Sequence, residues 1–181
     1  ATIGAGWAWA VALGPELREG KVPPPPVPRQ SHTGKEPDGS AKPMNPAPKS
    51  VALLAYPECS ASVVCGMYDL FMSAGRDWDA YAGNPPGPQL MQPRIVAAEP
   101  GGFAAANGVR IAPEGPLTTS PAPEPVCVPD LNVMPGEPLA GRFEAEIAWL
   151  KECHAKGAVI GTACSGALLL AEAGLLDGFE A

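Results

Sequence analysis

The sequence predicts an α/β fold: a doubly wound, mostly parallel sheet with helices on both faces. Three observations lead to this class. Short unbroken apolar runs of strand length recur along the second part of the chain, segments with helical spacing of apolar residues alternate with them, and one run ends in a cysteine, Cys164, between small residues. Strands that alternate with helices are typical of a parallel sheet.

The first predicted strand is Val51–Tyr56, an unbroken apolar run that Pro57 ends. Such a run suits a central parallel strand that is buried on both faces. A helix is expected from Ser60 to Ala74, closed by Gly75. Its predicted inner face consists of apolar residues at helical spacing: Val63, Met67, Leu70, Phe71 and Ala74.

Further elements follow in the second half of the chain. Strands are expected at Arg94–Ala98, Val109–Ile111 and Pro125–Val128. A helix is expected over Gly141–Lys156 and ends at Gly157. Its predicted inner face is Phe143, Ile147 and Leu150, and Glu144 and Glu146 are expected on a solvated outer face.

The next strand, Ala158–Ala163, runs into the turn Cys164–Gly166 and then into a predicted helix, Ala167–Leu176. A strand, a nucleophile on a tight turn among small residues, and a helix form the pattern of a nucleophile elbow. The thiol would lie at the carboxyl edge of the sheet and at a helix N-terminus, which favours thiolate. The alternative is a buried structural cysteine in a packed turn.

Composition divides the chain into two parts. Of its 181 residues, 24 are proline and 21 are glycine, and prolines crowd residues 21–48. Proline lacks the backbone donor that helices and ladders need. We therefore expect residues 1–49 to be a disordered, Pro-rich segment and residues 50–181 to hold a partial domain.

The charge and the rarer residues exclude several functions. The net charge is −7 and no cluster of Lys and Arg occurs, so we expect no direct nucleic-acid binding. The five cysteines form no C-x-x-C pair and there are two histidines, so neither a metal site nor a cofactor is expected. Unpaired thiols favour a cytoplasmic protein. The apolar start, residues 1–14, is too short to cross a membrane.

The elbow carries a resemblance to a known family. The run from Ala163 to Gly178, ACSGALLLAEAGLLDG, resembles the elbow of the ThiJ/PfpI, or class I glutamine amidotransferase-like, superfamily. It is most similar to the N-terminal domain of AraC-type (GlxA-like) transcription regulators. The resemblance extends over roughly residues 50–181 and implies a flavodoxin-like sandwich.

The resemblance also implies roles for particular residues. Cys164 would be the reactive or ligand-contacting group. Ala163, Ser165 and Gly166 would form the elbow around it and an oxyanion site. Many members place an acid just after the first strand, which here is Glu58. Regulator-type members often carry an Asp near the start of the first helix, whereas residues 61–64 of this chain read ASVV.

The chain stops where the strand after the elbow helix should begin, so we expect a domain that is incomplete at its C-terminus. Three functions stay open at this point. The first is a sensor domain that binds a small molecule. The second is a cysteine-dependent hydratase, hydrolase or glyoxalase-type enzyme, in which Cys164 attacks an electrophilic carbon. The third is an inactive truncated remnant. Whether the domain forms a homodimer is also open.

Overall fold

The computed structural model describes residues 9–12, by their backbone alone, together with residues 47–118 and 121–179. The strands are β1 (Trp9–Ala12), β2 (Lys49–Leu54), β3 (Met91–Ala97), β4 (Phe103–Ala104), β5 (Arg110–Ile111), β6 (Gly115–Pro116), β7 (Pro125–Val128) and β8 (Val159–Ala163). The helices are α1 (Ala61–Ser73), α2 (Asp77–Tyr81), α3 (Glu144–Ala155) and α4 (Ala167–Glu172). A 3-10 turn, Cys164–Gly166, joins β8 to α4.

The main sheet has the strand order β1-β8-β7-β2-β3-β6. All its pairings are parallel except that of β1 with β8. The chain moves outward from β2 to β3 and β6, then returns to the other side of β2 to add β7 and β8. The sheet is therefore doubly wound, as predicted, and its strand order reverses between β2 and β7. Open α/β sheets bind ligands at the carboxyl ends of the strands beside such a reversal.

Helices cover both faces of this sheet because β2 is apolar on both sides. Val51 and Leu53 pack with Met67 of α1, whereas Ala52 and Leu54 belong to the larger core that contains Leu150 of α3 and residues of α4. All four of these β2 side chains are buried. Alternate residues of a strand point to opposite faces, so an unbroken apolar run is what a central strand requires.

The strand β3 is longer than predicted and contains a proline. The backbone N–H and C=O groups of its even-numbered residues point towards β2, since the carbonyls of Leu90 and Val96 accept hydrogen bonds from that side. Ile95 accepts one from the other side, from the segment before β6. The backbone of Pro93 points to the same side of β3 as that of Ile95. On that side, in the described residues, β6 pairs only with Val96 and Ala97. The missing N–H of Pro93 therefore falls on an unpaired edge, where proline is tolerated.

Three further expectations need correction. The segment predicted as a strand at Val109–Ile111 pairs with β4 in a separate two-stranded hairpin instead of joining the main sheet. Leu70, assigned to the inner face of α1, is 59% exposed, because the buried face is formed by Ala61, Val64 and Met67. The helix after the elbow ends at Glu172, four residues earlier than expected.

The predicted disordered segment, residues 1–49, lies mostly outside the described residues. Within it, Trp9–Ala12 forms β1 beside the elbow strand, and Lys49 begins β2. In the described part of the chain, no helix combines the length and the apolar character that a membrane span requires.

Candidate functional site

The turn after β8, which the sequence predicts as an elbow, holds Cys164 in a strained backbone conformation. Cys164 has a φ of 51°, the left-handed region, and it alone does so among the described non-glycine residues. This conformation costs a non-glycine residue on the order of 1–3 kcal/mol and tends to occur at functional sites. The Cys164 side chain is exposed, unlike the buried Cys59, Cys127 and Cys153. The sequence alternative of a buried structural cysteine is therefore wrong for Cys164.

The small residues around Cys164 have different reasons to be small. Ala163 is the buried last residue of β8. A Cβ on Gly166 would lie 2.2 Å from the carbonyl oxygen of Pro129, closer than atoms can approach. Gly166 is thus needed because the segment after β7 crosses directly over the elbow, and its own φ of −56° is ordinary.

Ser165 fastens the elbow to the segment after β7. Its hydroxyl donates to the carbonyl of Leu131 at 2.9 Å and accepts from the backbone N–H of Leu131 at 2.8 Å. Both hydrogen-bonding functions of this hydroxyl are therefore used by one residue of the neighbouring loop. The sequence predicts Ser165 as part of an oxyanion site, and the structure places its side chain in this clamp.

The same segment after β7 also holds the loop after β2. The Asp130 carboxylate accepts from the Ser60 backbone N–H at 3.0 Å and from the Ser60 hydroxyl at 2.6 Å. The Asn132 side-chain amide donates to both Asp130 and Ser60. The Asn132 backbone N–H bonds the carbonyl of Glu58, and the Tyr56 hydroxyl donates to the Pro129 carbonyl at 2.8 Å.

Asp130 is the acid that sequence reasoning missed. The residues 61–64 contain no carboxylate, yet Asp130 brings one to Ser60, the residue that precedes the first turn of α1. A negative charge is favourable at a helix N-terminus. The available signal was position: Asp130 follows almost directly on β7, at the carboxyl edge where polar residues of α/β proteins gather.

Glu58 lies away from the thiol's hydrogen-bonding reach. Its carboxylate pairs with the Arg142 guanidinium at 3.2 Å, just before α3. In the described part of the chain, no hydrogen bond joins Glu58 to Cys164. Residues 129–132 thus connect the loop after β2 to the turn that holds Cys164. The Glu58 carboxylate lies instead in a neighbouring cleft.

That cleft has a volume of about 390 Å³ and lies at the carboxyl edge, between the ends of β2 and β3 and the start of α3. Its lining includes Tyr56, Glu58, Glu99, Arg142 and Glu146. Tyr56 is buried, and its burial, followed by nearby acidic groups, raises its pKa well above the ordinary value. This hydroxyl therefore stays protonated and able to donate at neutral pH.

Glu146 contradicts the expectation of a solvated helix face. It is 9% exposed, whereas Glu144 is exposed as predicted. Burial, above all, raises the pKa of the Glu146 carboxyl, and the charges of Glu58 and Glu99 act in the same direction. The first turn of α3 lines the cleft together with the ends of β2 and β3, so Glu146 lies in the cleft wall instead of on a solvated helix face.

His154 lies in the last turn of α3, next to the start of β8. This is the opposite end of the elbow strand from Cys164. The described residues contain no group of three or more His, Cys, Asp or Glu side chains that could hold a metal ion.

The chain is similar to the crystal structure of a ThiJ/PfpI family protein from Pseudomonas syringae, with a TM-score of 0.55 and 25% identity over 81% of this chain and 56% of that one. It is also similar in fold to an AraC family transcriptional regulator from Pseudomonas putida, with a TM-score of 0.50 and 16% identity, covering 72% and 73%.

Among curated proteins, the chain is 36% identical over 89 residues to the HTH-type transcriptional regulator CdhR of Pseudomonas aeruginosa. The match covers 48% of this chain and 25% of that regulator, so the chain matches about a quarter of the relative's length. No family model matches the chain. The similarities confirm the predicted resemblance to ThiJ/PfpI proteins and AraC-type regulators, and with it the flavodoxin-like α/β fold.

Proposed function

We propose that this chain is the small-molecule-sensing domain of an AraC-type transcription regulator. The observation that carries the proposal is the 36% identity to an HTH-type regulator, on a fold whose carboxyl-edge loops are tied into one unit. The proposal assigns ligand binding to this domain and DNA contact to a separate helix-turn-helix part. A cytoplasmic location and a homodimer are further parts of the proposal.

The bonding at the carboxyl edge supports a sensing role. Residues 129–132 hydrogen-bond to the elbow through Ser165 and to the loop after β2 through Tyr56 and Ser60. A ligand that contacts any of these three loops would stabilise them as a group. Loops that share their bonds in this way can transmit ligand binding to another surface of the domain.

The proposal is tested by thermal unfolding of the full chain with a set of small polar metabolites. A ligand at 100 times its Kd adds about 2.7 kcal/mol to the free energy of unfolding. For a chain of this size that raises the Tm by roughly 5–10 °C. A Gly166→Ala variant, which displaces residues 129–132, should lose most of the shift. If no compound raises the Tm of the unmodified chain, the sensing proposal fails.

A second candidate function is favoured by the strain and exposure of Cys164. In a cysteine-dependent enzyme, the thiolate would attack the carbonyl carbon of a small aldehyde, forming a C–S bond while the carbonyl electron pair moves to oxygen. Glu58, Ala163, Ser165 and Gly166 remain predicted members of such a site. Turnover of glyoxal that disappears in Cys164→Ala, with unchanged folding, would favour this enzyme over the sensor. If the chain neither binds a small molecule nor turns over glyoxal, the remaining alternative is an inactive remnant.

A further inference from the structure

Two aromatic side chains of α2 are almost fully exposed to solvent. Trp78 is 80% exposed and Tyr81 is 85% exposed, the highest values among the large apolar side chains of the described residues. Residues three apart are neighbours on a helix surface, so the two rings form one apolar surface. Each ring could remove roughly 150–250 Å² from water on binding. An exposed surface of this kind, the aromatic pair Trp78 and Tyr81, is typical of a contact with another chain segment.

The aromatic pair lies near the point where β2 begins. The backbone N–H of Lys49, the first residue of β2, donates to the carbonyl of Leu90 at 2.9 Å. The N–H of Leu90 in turn donates to the carbonyl of Ala74 at 3.2 Å. Trp78 follows Ala74 by four residues, at most about 15 Å along the chain. The chain that precedes Lys49 therefore enters the domain beside α2.

That preceding part of the chain is attached at both ends to the amino edge of the main sheet. The strand β1 ends at Ala12, which pairs with Ile160 near the start of β8. The strands β8, β7 and β2 are parallel neighbours, so about 14 Å separates the end of β1 from the start of β2. Residues 13–48 join these two points, and at about 3.3 Å per residue they are long enough to reach α2.

The sequence of this connection contains a segment that suits an aromatic surface. Residues 21–29 read KVPPPPVPR, with four consecutive prolines at positions 23–26. In a polyproline II helix, which has three residues per turn, Pro23 and Pro26 share one face. Proline-rich segments of this type dock on aromatic-lined surfaces, because their conformation is fixed before binding and little entropy is lost.

Charge favours the same contact. Residues 47–181 contain 7 basic and 15 acidic residues, a net charge of −8. Residues 21–35 contain 3 basic residues and no acidic one. Asp79 lies between the two aromatic residues in the sequence of α2 and is exposed. The positive segment is therefore attracted to the domain and to the helix that carries the aromatic pair.

We infer that the aromatic pair is a docking surface for a polyproline II helix, and that its occupant is the chain's own segment, residues 21–29. About 20 residues separate this segment from Lys49, and a tether of that length gives an effective concentration on the order of 1 mM. A contact with a Kd of about 0.1 mM would then be formed in about 90% of the chains. The docking surface is at the amino edge of the sheet, so it is independent of the sensing function proposed for the carboxyl edge.

The first test follows the indole N–H signal of Trp78 by NMR in the full chain, with Trp78→Phe to identify it. Replacing all four prolines at positions 23–26 by serine should shift this signal, because the ring loses its occupant. The Trp149 indole, which donates to the carbonyl of Thr118, should give an unchanged signal. The matched control replaces four other prolines of the connection by serine and should leave the Trp78 signal in place: Pro15, Pro37, Pro43 and Pro46. No shift in the first variant, or an equal shift in both, would overturn the inference.

A second test adds the segment as a separate peptide, KVPPPPVPRQ, which corresponds to residues 21–30. The peptide should bind the chain with serine at positions 23–26 and bind the parent chain about tenfold more weakly, because the parent's own segment competes at about 1 mM. In the serine chain, Trp78→Ala should weaken peptide binding at least about tenfold. Met134→Ala truncates another exposed apolar side chain and should change the Kd less than about twofold. Equal affinity of the peptide for the parent and serine chains, or equal effects of the two alanine variants, would contradict the inference.

Protein concentration distinguishes the chain's own segment from a second copy. A contact within one chain does not depend on concentration, so the Trp78 signal of the parent chain should be the same at about 50 µM and about 1 mM protein. A signal that moves with concentration would show that another copy covers the aromatic pair, and the assignment to the chain's own residues 21–29 would be wrong.

Discussion

Asp130 and Ser60 are 70 residues apart in the chain, yet the Asp130 carboxylate accepts hydrogen bonds from both the backbone N–H and the hydroxyl of Ser60. The contact crosses the point where the strand order reverses, between the end of β7 and the start of α1. The loops after β2 and β7, at the carboxyl edge of the sheet, are therefore joined through the Asp130 side chain. Ser165 extends this connection to the elbow.

Replacing Asp130 tests whether this contact organises the edge. In Asp130→Asn, an NH₂ group replaces one carboxylate oxygen and cannot accept from Asn132, and the charge at the start of α1 is lost. We expect the free energy of unfolding to fall by about 1–2 kcal/mol. Urea unfolding measures it. Asp69→Asn on the exposed face of α1 is the matched control and should have little effect. Equal stability of the two variants would contradict the assigned role.

Gly166→Ala tests the close crossing of the segment after β7 over the elbow. The added methyl would lie 2.2 Å from the Pro129 oxygen, so backbone must move. We expect a loss of about 1–3 kcal/mol in the free energy of unfolding. Gly66→Ala, in α1, meets no described atom within 4 Å and should instead stabilise the chain by up to about 1 kcal/mol. If Gly166→Ala is as stable as the parent chain, the segment after β7 lies farther from Gly166 than described.

Glu146 should make stability depend on pH. Its folded-state pKa is raised above the ordinary 4.5, mainly by burial. Below pH 4.5 the group is protonated in both the folded and the unfolded chain, so the folded state carries no cost. As the pH rises through the raised folded pKa, the folded chain must bury an ionised carboxylate, so its free energy of unfolding falls. The charges of Glu58 and Glu99 on the neighbouring loops add to the cost, while the hydrogen bond from the backbone N–H of Glu146 itself opposes it.

Glu146→Gln stays neutral at every pH. We therefore expect the variant to gain stability relative to the parent chain as the pH rises from 4 to 7. Urea unfolding at several pH values measures the difference in free energy. A difference that is constant with pH, or that favours the parent chain at neutral pH, would contradict the burial of an ionised Glu146.

The sequence was sufficient for the elements in which one physical signal dominates. The strands β2, β7 and β8 are apolar on both sides, and in a chain with many turn residues such runs fit only the centre of a parallel sheet. The turn between β8 and α4 was likewise predictable, because an apolar run passes through small residues into a helix. The roles of Cys164 and its neighbours at this turn stay predictions.

Other features depend on contacts that no local pattern contains. The helix α1 is apolar around much of its circumference, so spacing alone did not show that Leu70 faces outward. Glu146 was expected in water because it is charged, but the packing of α3 against the sheet edge decides its burial. Asp130 acts on Ser60 across the strand reversal, and a contact over 70 residues leaves no periodic signal.

The central claim is that the carboxyl edge is assembled, with Cys164 exposed on its elbow. Iodoacetamide labelling at pH 8, followed for each thiol by mass spectrometry, tests it most directly. Burial raises the pKa of Cys59, Cys127 and Cys153 to about 11, so only about one thiol in a thousand is ionised there. Cys164 should label fast, Cys65 on the surface of α1 should label as an exposed reference, and the other three should label only after unfolding in urea. If all five thiols label at one rate in the native chain, the elbow is not assembled and the account is wrong.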